Sequence, residues 1–534
     1  MSQRQPARVT SGKSRELGQA LQALQLEVAE QPALNPSCCR LRVNAADWGK
    51  VAEIAAKKSL RFSASWGDHC PPRILIFSLF SGCDGQVLVE TALDENHPQL
   101  NAQTPFFPAA DRPERHIQDL LGVHFSDHPD QRRWTRHRGW AADEYPLRND
   151  FPRAGHPAAE TPADSTYPFP PIAGSGVYEI PVGPVHAGII EPGHFRFQAV
   201  GETILRLEER LGYVHKGIEK IAVGRDLQGL IRLAARVSGD SSVAHSWAAC
   251  QAAEQALGTR LPARALALRA IACERERIAN HLGDIGAICN DVGFAFAQTQ
   301  LTRLRELWQR DNAHFFGHRL LFDYLIAGGV NSDLGAEQVE ALLTAGERLR
   351  SEVAELLPML LEYPSLQDRL RNTGVLPPET ASRLGVLGYV GRASNLQDDL
   401  RRDAPYPPYD QLEVEVPAYL EGDIARRVRV RGDEILISID LLAKLFRQLP
   451  KTAIAVPCHA TGQQVQGLGL IEGWRGETLA YLRLDAQGRV LRYFPRDPSW
   501  LNWLALEQMT DGTIVPDFPA CNKSVNGSYS GHDL

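Results

Sequence analysis

Apolar residues recur at helical spacing over most of the segment 213–362, which predicts several amphipathic helices joined by short loops. Within it, Asp226 is a predicted helix N-cap, Gly258 a predicted helix end and Pro262 a predicted first turn. A longer amphipathic stretch covers residues 334–361. Helices in this number and order are typical of a helical bundle.

The first part of the chain shows a different pattern, in which helical and strand-like segments alternate. Amphipathic helices are predicted over residues 14–30 and 45–58, and short apolar runs predict strands over residues 74–80 and 86–92. Turn residues separate the two strands, as in a hairpin. The pattern predicts a small α/β domain over residues 1–152.

A segment rich in Pro, Ala, Gly, Ser and Thr, residues 153–178, separates the two patterns. This composition cannot bury a core, so it predicts a linker followed by a second domain over residues 179–534. In that domain, strands are predicted again over residues 427–431 and 479–484, and residues 514–534 are rich in coil-forming residues. The expected fold class is α+β, with the small α/β domain joined by the Pro-rich linker to a large, mainly helical bundle with peripheral β hairpins.

Composition narrows the range of functions. The chain has 534 residues and a net charge of -7, and without a basic excess we expect no binding to nucleic acid. No apolar run is long enough for a transmembrane segment, so any membrane role depends on partner subunits. The nine cysteines include no Cys-x-x-Cys pair, so we expect no zinc or iron–sulfur site in this chain and the reduced thiols of a cytoplasmic protein.

A hydroxyl-rich turn over residues 236–245, Arg-Val-Ser-Gly-Asp-Ser-Ser-Val-Ala-His, interrupts the helical pattern. Ser241 or Ser242 is a suitable N-cap for the helix that follows, and Asp240 places a negative charge near the positive end of that helix. From the local sequence alone, helix capping is the simplest interpretation.

A second polar segment closes the first domain. Its possible metal ligands are His116, Asp119, His124, Asp127 and His128. Their spacing does not place them on one helical face, so a charged docking surface is favoured over a metal site. The pattern Glu-Arg-x-x-x-Asp-x-x-Gly-x-x-Phe-x-x-His-Pro-Asp-x-Arg-Arg at 114–133, followed by Pro-Leu-Arg-x-Asp-Phe-Pro at 146–152, resembles the small peripheral-arm subunit of respiratory complex I.

Further motifs follow in order through the second domain. They are Gly-Pro-x-His at 183–186, Glu-Pro-Gly-His-Phe-Arg at 191–196, Tyr-Val-His-Lys-Gly-Ile-Glu-Lys at 213–220, the segment 392–402, Pro-Tyr-x-x-Tyr at 405–409 and Glu-Gly-Trp-Arg-Gly-Glu at 472–477. Together they resemble the large subunit of membrane-bound, energy-converting (group 4) NiFe hydrogenases and its relative, the quinone-site subunit of complex I. With both modules fused in one chain, the sequence looks most like the large subunit of formate hydrogenlyase-type hydrogenases.

The resemblance implies a nickel–iron site held by four thiolates in two Cys-x-x-Cys pairs. At the positions that match these four ligands, this chain has Ser238, Ser241, Ser528 and Gly531. A protonated serine hydroxyl is a hard, weak donor that cannot replace a thiolate on nickel. We therefore expect no metal site, no cofactor bound by this chain and no hydrogenase activity of its own.

Other residues that match the family's cavity are retained. The resemblance makes Glu191 the candidate for the start of a proton path and Arg475 the candidate for the arginine over the former metal site. The histidines His186, His194 and His245 complete the set of candidate cavity residues.

These residues also have a purely structural interpretation. Glu191, Arg475, Asp398 and Arg401 can form an internal ion network, which persists because removal of one partner leaves the other charge unpaired. His245 can be an ordinary, hydrogen-bonded core histidine.

The resemblance implies a peripheral-arm subunit of a membrane-bound, complex I-like or hydrogenase-related oxidoreductase complex. Its expected partners are a small iron–sulfur subunit, which carries the cluster, and antiporter-like and other membrane subunits. Its expected location is the cytoplasmic side, peripheral on the inner face of the cytoplasmic membrane. The expected role is to couple electron transfer in the partner to translocation of protons or other ions.

Two other functions stay open. The first is reduction of a quinone or another small acceptor in the emptied cavity, with His186 and His194 as hydrogen-bond donors. In the complex I relative, a tyrosine that binds the quinone headgroup stands where this chain has Gly239. The second is an assembly or regulatory homologue of a hydrogenase subunit.

Overall fold

The computed structural model describes residues 12–23, 26–82, 85–137, 139–141, 143–156, 167–186, 188 and 190–534. The chain divides into two compact units, Met1–Pro168 and Phe169–Leu534, and the division falls inside the segment predicted as a linker. Over the ranges described, none of the helices is long and apolar enough to cross a membrane.

The first unit contains a five-stranded sheet and a separate short strand pair. Its described strands are β1 (Val28–Gln31), β2 (Cys38–Val43), β3 (Arg61–Cys70), β4 (Arg73–Gly82), β5 (Gly85–Asp94), β6 (Gln99–Asn101) and β7 (His124–Ser126). Its described helices are α1 (Gly12–Ala23), α2 (Trp48–Lys57) and α3 (Asp111–Leu121). The strand order of the sheet is β1-β2-β5-β4-β3, with β2 and β5 parallel and the other pairs antiparallel.

Most elements predicted for the first unit are confirmed. The two predicted strands form the hairpin β4–β5, and each is longer than predicted. The second predicted helix forms as a 3-10 turn (Ala45–Asp47) followed by α2. The first predicted helix is shorter than the pattern indicated, because residues Val28–Gln31 pair with β2 as a strand. A tertiary hydrogen-bonding partner here overrides a local helical pattern.

Carboxylates of the polar segment that closes this unit bind backbone amides. Asp119 Oδ2 accepts from the amide of Trp134 at 2.7 Å, and Glu114 Oε1 accepts from the amide of Gln103 at 2.6 Å. Both carboxylates, like the His116 ring, are buried. The described part of the chain has no group of three or more His, Cys, Asp or Glu residues that could hold a metal ion. The predicted docking surface is wrong for His116, Asp119 and His128, which are buried, and it stays a prediction for the exposed His124 and Asp127.

The second unit is mainly helical, as predicted. Its described helices are α4 (Ile218–Ala222), α5 (Leu227–Ala234), α6 (Ser242–Leu257), α7 (Ala263–Asp291), α8 (Ala295–Phe316), α9 (Ala336–Glu362), α10 (Pro364–Leu370), α11 (Pro378–Leu384), α12 (Gly388–Ala393), α13 (Leu400–Asp403), α14 (Ile424–Arg447), α15 (Ser499–Met509), α16 (Phe518–Val525) and α17 (Tyr529–Asp533). Asp226 caps α5 by accepting from the amide of Gly229 at 2.8 Å. Gly258 ends α6 in the left-handed conformation, at a φ of 66°.

Small antiparallel sheets accompany these helices, so the fold class is α+β. The described strands are β8 (Val177–Val182), β9 (His194–Val200), β10 (Thr203–Arg210), β11 (Leu325–Ile326), β12 (Gly329–Val330), β13 (Val465–Gly473), β14 (Gly476–Leu484) and β15 (Val490–Arg496). They form the sheets β10-β9-β8, β11-β12 and β13-β14-β15. The strand predicted over residues 479–484 is confirmed as part of β14.

The strand predicted over residues 427–431 is wrong, because these residues lie in α14. Valines alternate with arginines there, which imitates a half-buried strand. In the structure the arginines Arg427 and Arg431 are buried as well. Arg427 Nη1 donates to the carbonyl of Gly422 at 2.7 Å, and Arg431 pairs with Asp284 at 3.0 Å. The alternation of valines and arginines therefore does not separate a buried face from a face exposed to solvent.

The C-terminal segment, residues 514–534, is more helical than its coil-rich composition predicted. It contains a 3-10 turn (Val515–Asp517), α16 and α17. The Phe518 ring packs against the Phe197 ring of β9 with centroids 4.7 Å apart, and Leu534 is fully buried. Burial against the rest of the unit supplies the order that local composition does not indicate.

Helix α6 lies directly on β13, and this contact positions the hydroxyl-rich turn. Gly467 and Gly469 lie on one face of β13, where a Cβ on either would be 1.9 Å from a carbonyl oxygen of α6. Glycine is required because only a strand surface without side chains allows so close a helix backbone. The turn that precedes α6 therefore lies beside the β13–β14 turn, where Trp474 Nε1 donates to Ser241 Oγ at 3.1 Å.

Candidate functional site

The two segments that carry the altered ligand positions meet in the second unit, although 290 residues separate them. Ser238 Oγ and Ser528 Oγ are 2.7 Å apart, and the Ser528 hydroxyl accepts from the amide of Gly531 at 2.9 Å. The Ser241 hydroxyl accepts from Arg475 Nη1 at 3.1 Å. The structure thus brings together all four positions named from the sequence, and Arg475 with them.

An ion pair joins these side chains. Arg475 donates to the two carboxylate oxygens of Asp240 at 2.8 and 2.6 Å, and the Ser238 hydroxyl donates to Asp240 Oδ1 at 2.6 Å. Burial raises the pKa of Asp240, but the Arg475 charge and these hydrogen bonds outweigh it and hold the pKa below its ordinary value. Arg475 Nε also donates to the carbonyl of Asn526 at 2.8 Å. The Ser238 and Ser241 hydroxyls are therefore partners of this salt bridge, and the Ser528 hydroxyl is joined to it through Ser238.

Glu276 of α7 caps α6, a role that the sequence assigned to a serine. Ser241 occupies the N-cap position, but its side chain makes no capping hydrogen bond. The Glu276 carboxylate accepts from the amides of Val243 and Ala244 at 2.7 and 3.2 Å. Burial raises the pKa of Glu276 to about 8. The prediction that Ser241 or Ser242 caps this helix is wrong, because a carboxyl group from a neighbouring helix takes the free amides.

His245 is fully buried in the first turns of α6. Its Nε2 lies 2.9 Å from Asp497 Oδ2, and Asp497 Oδ1 accepts from the amide of Ser499 at 2.8 Å. Burial raises the pKa of Asp497, but the bond to His245 and the nearby charges hold that pKa well below its ordinary value. Asp497 also borders the Gly531 position, where a Cβ would lie 2.8 Å from Asp497 Cγ. Asp497 therefore connects His245 to the altered ligand positions.

The candidate residues of the first loop make different contacts. Glu191 is exposed, and its Oε2 accepts from the amide of Ser530 at 2.9 Å. His194 Nδ1 lies 2.9 Å from the carbonyl oxygen of Gly183, and burial lowers the pKa of this histidine. His186 Nδ1 accepts from a backbone amide of its own loop at 3.2 Å. Of these three side chains, Glu191 is hydrogen-bonded to the segment that carries the C-terminal altered positions.

Gly239, for which the family resemblance implies a tyrosine in the complex I relative, lies at the exposed edge of the site. The side-chain atom nearest to a Cβ built there is Phe322 Cζ, at 3.8 Å. The Phe322 ring stacks on His318 with centroids 4.7 Å apart, and the Arg236 guanidinium lies 5.0 Å from the Phe322 centroid. An aromatic and cationic rim therefore borders Gly239.

The ion network expected to join Glu191, Arg475, Asp398 and Arg401 is wrong in its partners, because Arg475 pairs with Asp240 and Arg401 pairs with carboxylates other than Asp398. Arg401 pairs with Asp399 at 2.7 Å and with Glu274 at 3.0 Å. Asp398 is exposed, and its backbone carbonyl accepts from Arg392 Nη2 at 3.1 Å. The prediction for the Asp398 side chain is wrong, because Asp399 is the N-cap of α13 and turns inward to accept from the Arg401 amide.

Two protein families match the chain. Residues 291–466 match the family described as Respiratory-chain NADH dehydrogenase, 49 Kd subunit, and residues 41–157 match its 30 Kd subunit. The chain is 32% identical over 448 residues to hydrogenase-4 component G of Escherichia coli (strain K12), which covers 84% of this chain and 78% of that relative. It is 31% identical over 460 residues to formate hydrogenlyase subunit 5 of the same organism, with coverages of 86% and 81%. The chain belongs to the family of fused complex I-like hydrogenase subunits.

A solved structure adds a further relative of this fused family. It is a chain of the membrane-bound sulfane sulfur reductase, an archaeal respiratory membrane complex. The match has a TM-score of 0.63 and 25% identity, and it covers 67% of this chain and 99% of that chain. Relatives of the chain thus include hydrogenase and formate hydrogenlyase subunits, the alpha subunit of a membrane-bound hydrogenase from Pyrococcus furiosus, which is 29% identical over 374 residues, and a chain of an archaeal respiratory membrane complex.

The donor set of this family member differs from that of a nickel–iron centre. The four ligand positions supply three hydroxyls and a glycine, whereas nickel and iron of this type require soft, anionic thiolates. The hydroxyls of Ser238, Ser241 and Ser528 are already engaged in hydrogen bonds. The residues present therefore do not fit the metal group that the family resemblance implies.

Sequence reasoning missed two acidic residues of this site. Asp497 and Glu276 lie 252 and 33 residues from the groups that they bind, so no local pattern marks them. Asp240 was assigned only to the end of a helix. The position of Asp240 between the altered positions 238 and 241 could have predicted its pairing with Arg475, because a carboxylate there lies within reach of the arginine over the site.

Proposed function

We propose that this chain is a peripheral-arm subunit of a membrane-bound, complex I-like or energy-converting hydrogenase-related oxidoreductase complex, without a nickel–iron site of its own. It docks a small iron–sulfur subunit along the face that carries the altered ligand positions. Antiporter-like and other membrane subunits hold the complex on the inner face of the cytoplasmic membrane. The chain binds no cofactor and couples electron transfer in the partner's iron–sulfur cluster to ion translocation.

The observation that carries this proposal is the Asp240–Arg475 ion pair among the altered ligand positions. A nickel–iron site needs anionic sulfur donors, and here the Arg475 guanidinium binds the Ser241 hydroxyl and its carboxylate partner Asp240 binds the Ser238 hydroxyl. The Arg475 side chain is buried and Asp240 is half-buried, so removal of Asp240 would leave a buried positive charge without its carboxylate partner. The family scaffold is kept around a polar interior that supports no metal chemistry.

Purification of the tagged chain from native membranes tests the proposal. We expect an iron–sulfur subunit and membrane subunits to copurify, with iron but no stoichiometric nickel in the metal analysis. Nickel at one atom per chain would contradict the proposed absence of a metal site. Isolation as a free monomer would favour an assembly or regulatory homologue.

Reduction of a quinone or another small acceptor is a second candidate function. The aromatic rim at Phe322 and His318, beside Gly239, favours it, since stacked rings suit a flat acceptor. The archaeal relative is named as a reductase of a small acceptor, sulfane sulfur. In an acceptor-reduction assay on the intact complex, Phe322→Ala should raise KM, whereas the exposed control Phe296→Ala should not. Equal KM values for both variants would exclude an acceptor site at the rim.

A further inference from the structure

Buried carboxyl and guanidinium groups of the second unit form a charge cluster that the proposed site does not use. The carboxyls belong to Glu274, Asp399, Glu434 and Glu472, and the guanidiniums belong to Arg277, Arg392 and Arg401. None of these residues is more than 2% exposed. These seven residues are called the buried charge cluster below.

Arg392 connects three carboxyl groups of the cluster. Its Nη1 donates to Glu434 Oε1 at 2.5 Å, and its Nη2 donates to Asp399 Oδ2 at 2.8 Å and to Glu472 Oε1 at 2.6 Å. A single guanidinium nitrogen therefore serves both Asp399 and Glu472. Two carboxylates on one donor group repel each other unless one of them is protonated.

Other carboxyl groups of the cluster have stronger sets of donors than Glu472. Asp399 accepts from Nε and Nη2 of Arg401 at 3.0 and 2.7 Å. Glu274 accepts from Arg401 and from two hydroxyl groups. Besides the shared guanidinium nitrogen, Glu472 accepts from the amide of Leu400 at 3.1 Å. Glu434 has Arg392 Nη1 as a donor and also pairs with Arg277 at 3.5 Å, so Glu472 is the carboxyl of the cluster whose negative charge is least stabilised.

The buried charge cluster holds four carboxyls and three guanidiniums, so it lacks one positive charge. His281 Nε2 lies 2.7 Å from Glu434 Oε2, but burial lowers the pKa of this imidazole, so it does not supply the missing charge near neutral pH. An unbalanced charge in the interior is costly, and one bound proton removes the imbalance.

The groups that face Glu472 from neighbouring elements do not supply that charge either. Glu477 lies opposite in the β13–β14 register and pairs with Arg496. The Tyr406 hydroxyl accepts from the Glu472 amide at 3.0 Å, and Cys273 on α7 contacts the Glu472 carbonyl at 3.7 Å. Burial, and then the nearby Asp399 carboxylate, raise the pKa of Glu472 to about 8 in spite of the three guanidiniums.

We propose that the buried charge cluster binds one exchangeable proton on Glu472, and that this proton accompanies electron arrival at the partner's iron–sulfur cluster. Above the midpoint of its titration, where Glu472 is deprotonated in the oxidised complex, each electron that enters the partner's cluster is matched by up to one proton that Glu472 takes up from water, and reoxidation releases both. Glu472 lies three residues before Arg475, at the same hairpin turn that borders the proposed docking face. The coupling of this proton to electron arrival rests on the proposed function.

An infrared titration of the full-length chain, labelled with carbon-13 in the glutamate carboxyls, tests the proton site. Between about pH 6 and about pH 10, wild type should lose the absorbance of one more protonated carboxyl than Glu472→Gln, with a midpoint near the pKa of about 8. Glu254→Gln is the matched control, because Glu254 is also buried but forms a one-to-one pair with Arg269 at 2.6 Å. It should leave the titrating absorbance unchanged.

Equal titrating absorbance in wild type and Glu472→Gln would overturn the proton site. Glu472→Asp keeps a carboxyl and serves if the glutamine variant does not fold. Its titration should move to a different pH, and an unchanged midpoint would also overturn the assignment.

Proton uptake by the intact complex on reduction, followed with a pH-sensitive dye, tests the coupling step. At about pH 9, where Glu472 is mostly deprotonated before reduction, wild type should take up more protons per electron than Glu472→Gln. Equal uptake would overturn the coupling step, even if the infrared titration places a proton on Glu472. Purification of the chain without a redox partner would instead overturn the proposed function and leave the infrared result standing.

Discussion

Replacement of Asp240 by alanine should loosen the turn that carries the altered ligand positions. Arg475, whose side chain is 3% exposed, would lose both hydrogen bonds to the carboxylate, at 2.8 and 2.6 Å. It would keep the carbonyl of Asn526 at 2.8 Å and the Ser241 hydroxyl at 3.1 Å. The variant therefore leaves a buried guanidinium with neutral partners only.

The size of this effect follows from the burial of the two side chains. Removal of one partner from a fully buried ion pair costs about 3 to 5 kcal/mol. The Asp240 side chain is 34% exposed, so water screens part of the charge left on Arg475, and we expect about 2 to 3 kcal/mol. Because about 1.4 kcal/mol corresponds to a tenfold change in an equilibrium constant, local opening should become roughly 30- to 150-fold more frequent.

Hydrogen exchange of the amides in residues 236–247, measured by mass spectrometry, checks this magnitude. The control is Asp323→Ala, which breaks an exposed pair with Arg236 at 2.7 Å beside the same turn and should change exchange by less than about fivefold. An effect of Asp240→Ala below about threefold, or equal to the control, would refute the conclusion that the ion pair holds the turn.

The remaining expectations concern pH dependence and one glycine. The pKa of Glu472 in the folded chain is about 8, which is higher than the value of about 4.3 for an unfolded glutamate. The folded chain therefore binds this proton more tightly, and the proton stabilises the fold at acidic pH. Between the two pKa values, this contribution to the free energy of unfolding falls by about 1.4 kcal/mol per pH unit as the pH rises. Thermal unfolding midpoints over this range should therefore fall less steeply in Glu472→Gln than in wild type or Glu254→Gln, and parallel curves would contradict the reasoning. Gly388→Ala places a Cβ 2.1 Å from the carbonyl oxygen of Arg475, at a φ of 59°. The control Gly462→Ala has a similar φ of 75°, but its Cβ meets no atom within 4 Å, so it should cost about 1 to 2 kcal/mol from backbone strain alone. Gly388→Ala should therefore destabilise the chain more than Gly462→Ala. Urea titrations in which the two alanine variants lose equal stability would contradict the close approach at Gly388.

Local patterns predicted the elements that depend on near neighbours. The β4–β5 hairpin and the helices of the second unit were predictable, since apolar spacing and turn residues within a few positions determine them. The predictions are wrong where contacts with residues far away in the sequence determine the secondary structure. A strand was predicted over residues 427–431 because alternating valines and arginines are typical of a strand with one side facing solvent, but these residues lie in α14. Coil was predicted over residues 514–534 because the surfaces that bury this segment come from distant parts of the chain.

The sequence by itself determined the family motifs and the loss of thiolates at residues 238, 241, 528 and 531, because donor chemistry is a property of residue type. Only the tertiary structure decided which charges meet. Asp240 and Arg475 pair across 235 residues of sequence, and Asp399 turns inward where its neighbour Asp398 faces solvent. The physical reason is that burial makes an unpaired charge costly, and burial depends on which helices and strands pack together.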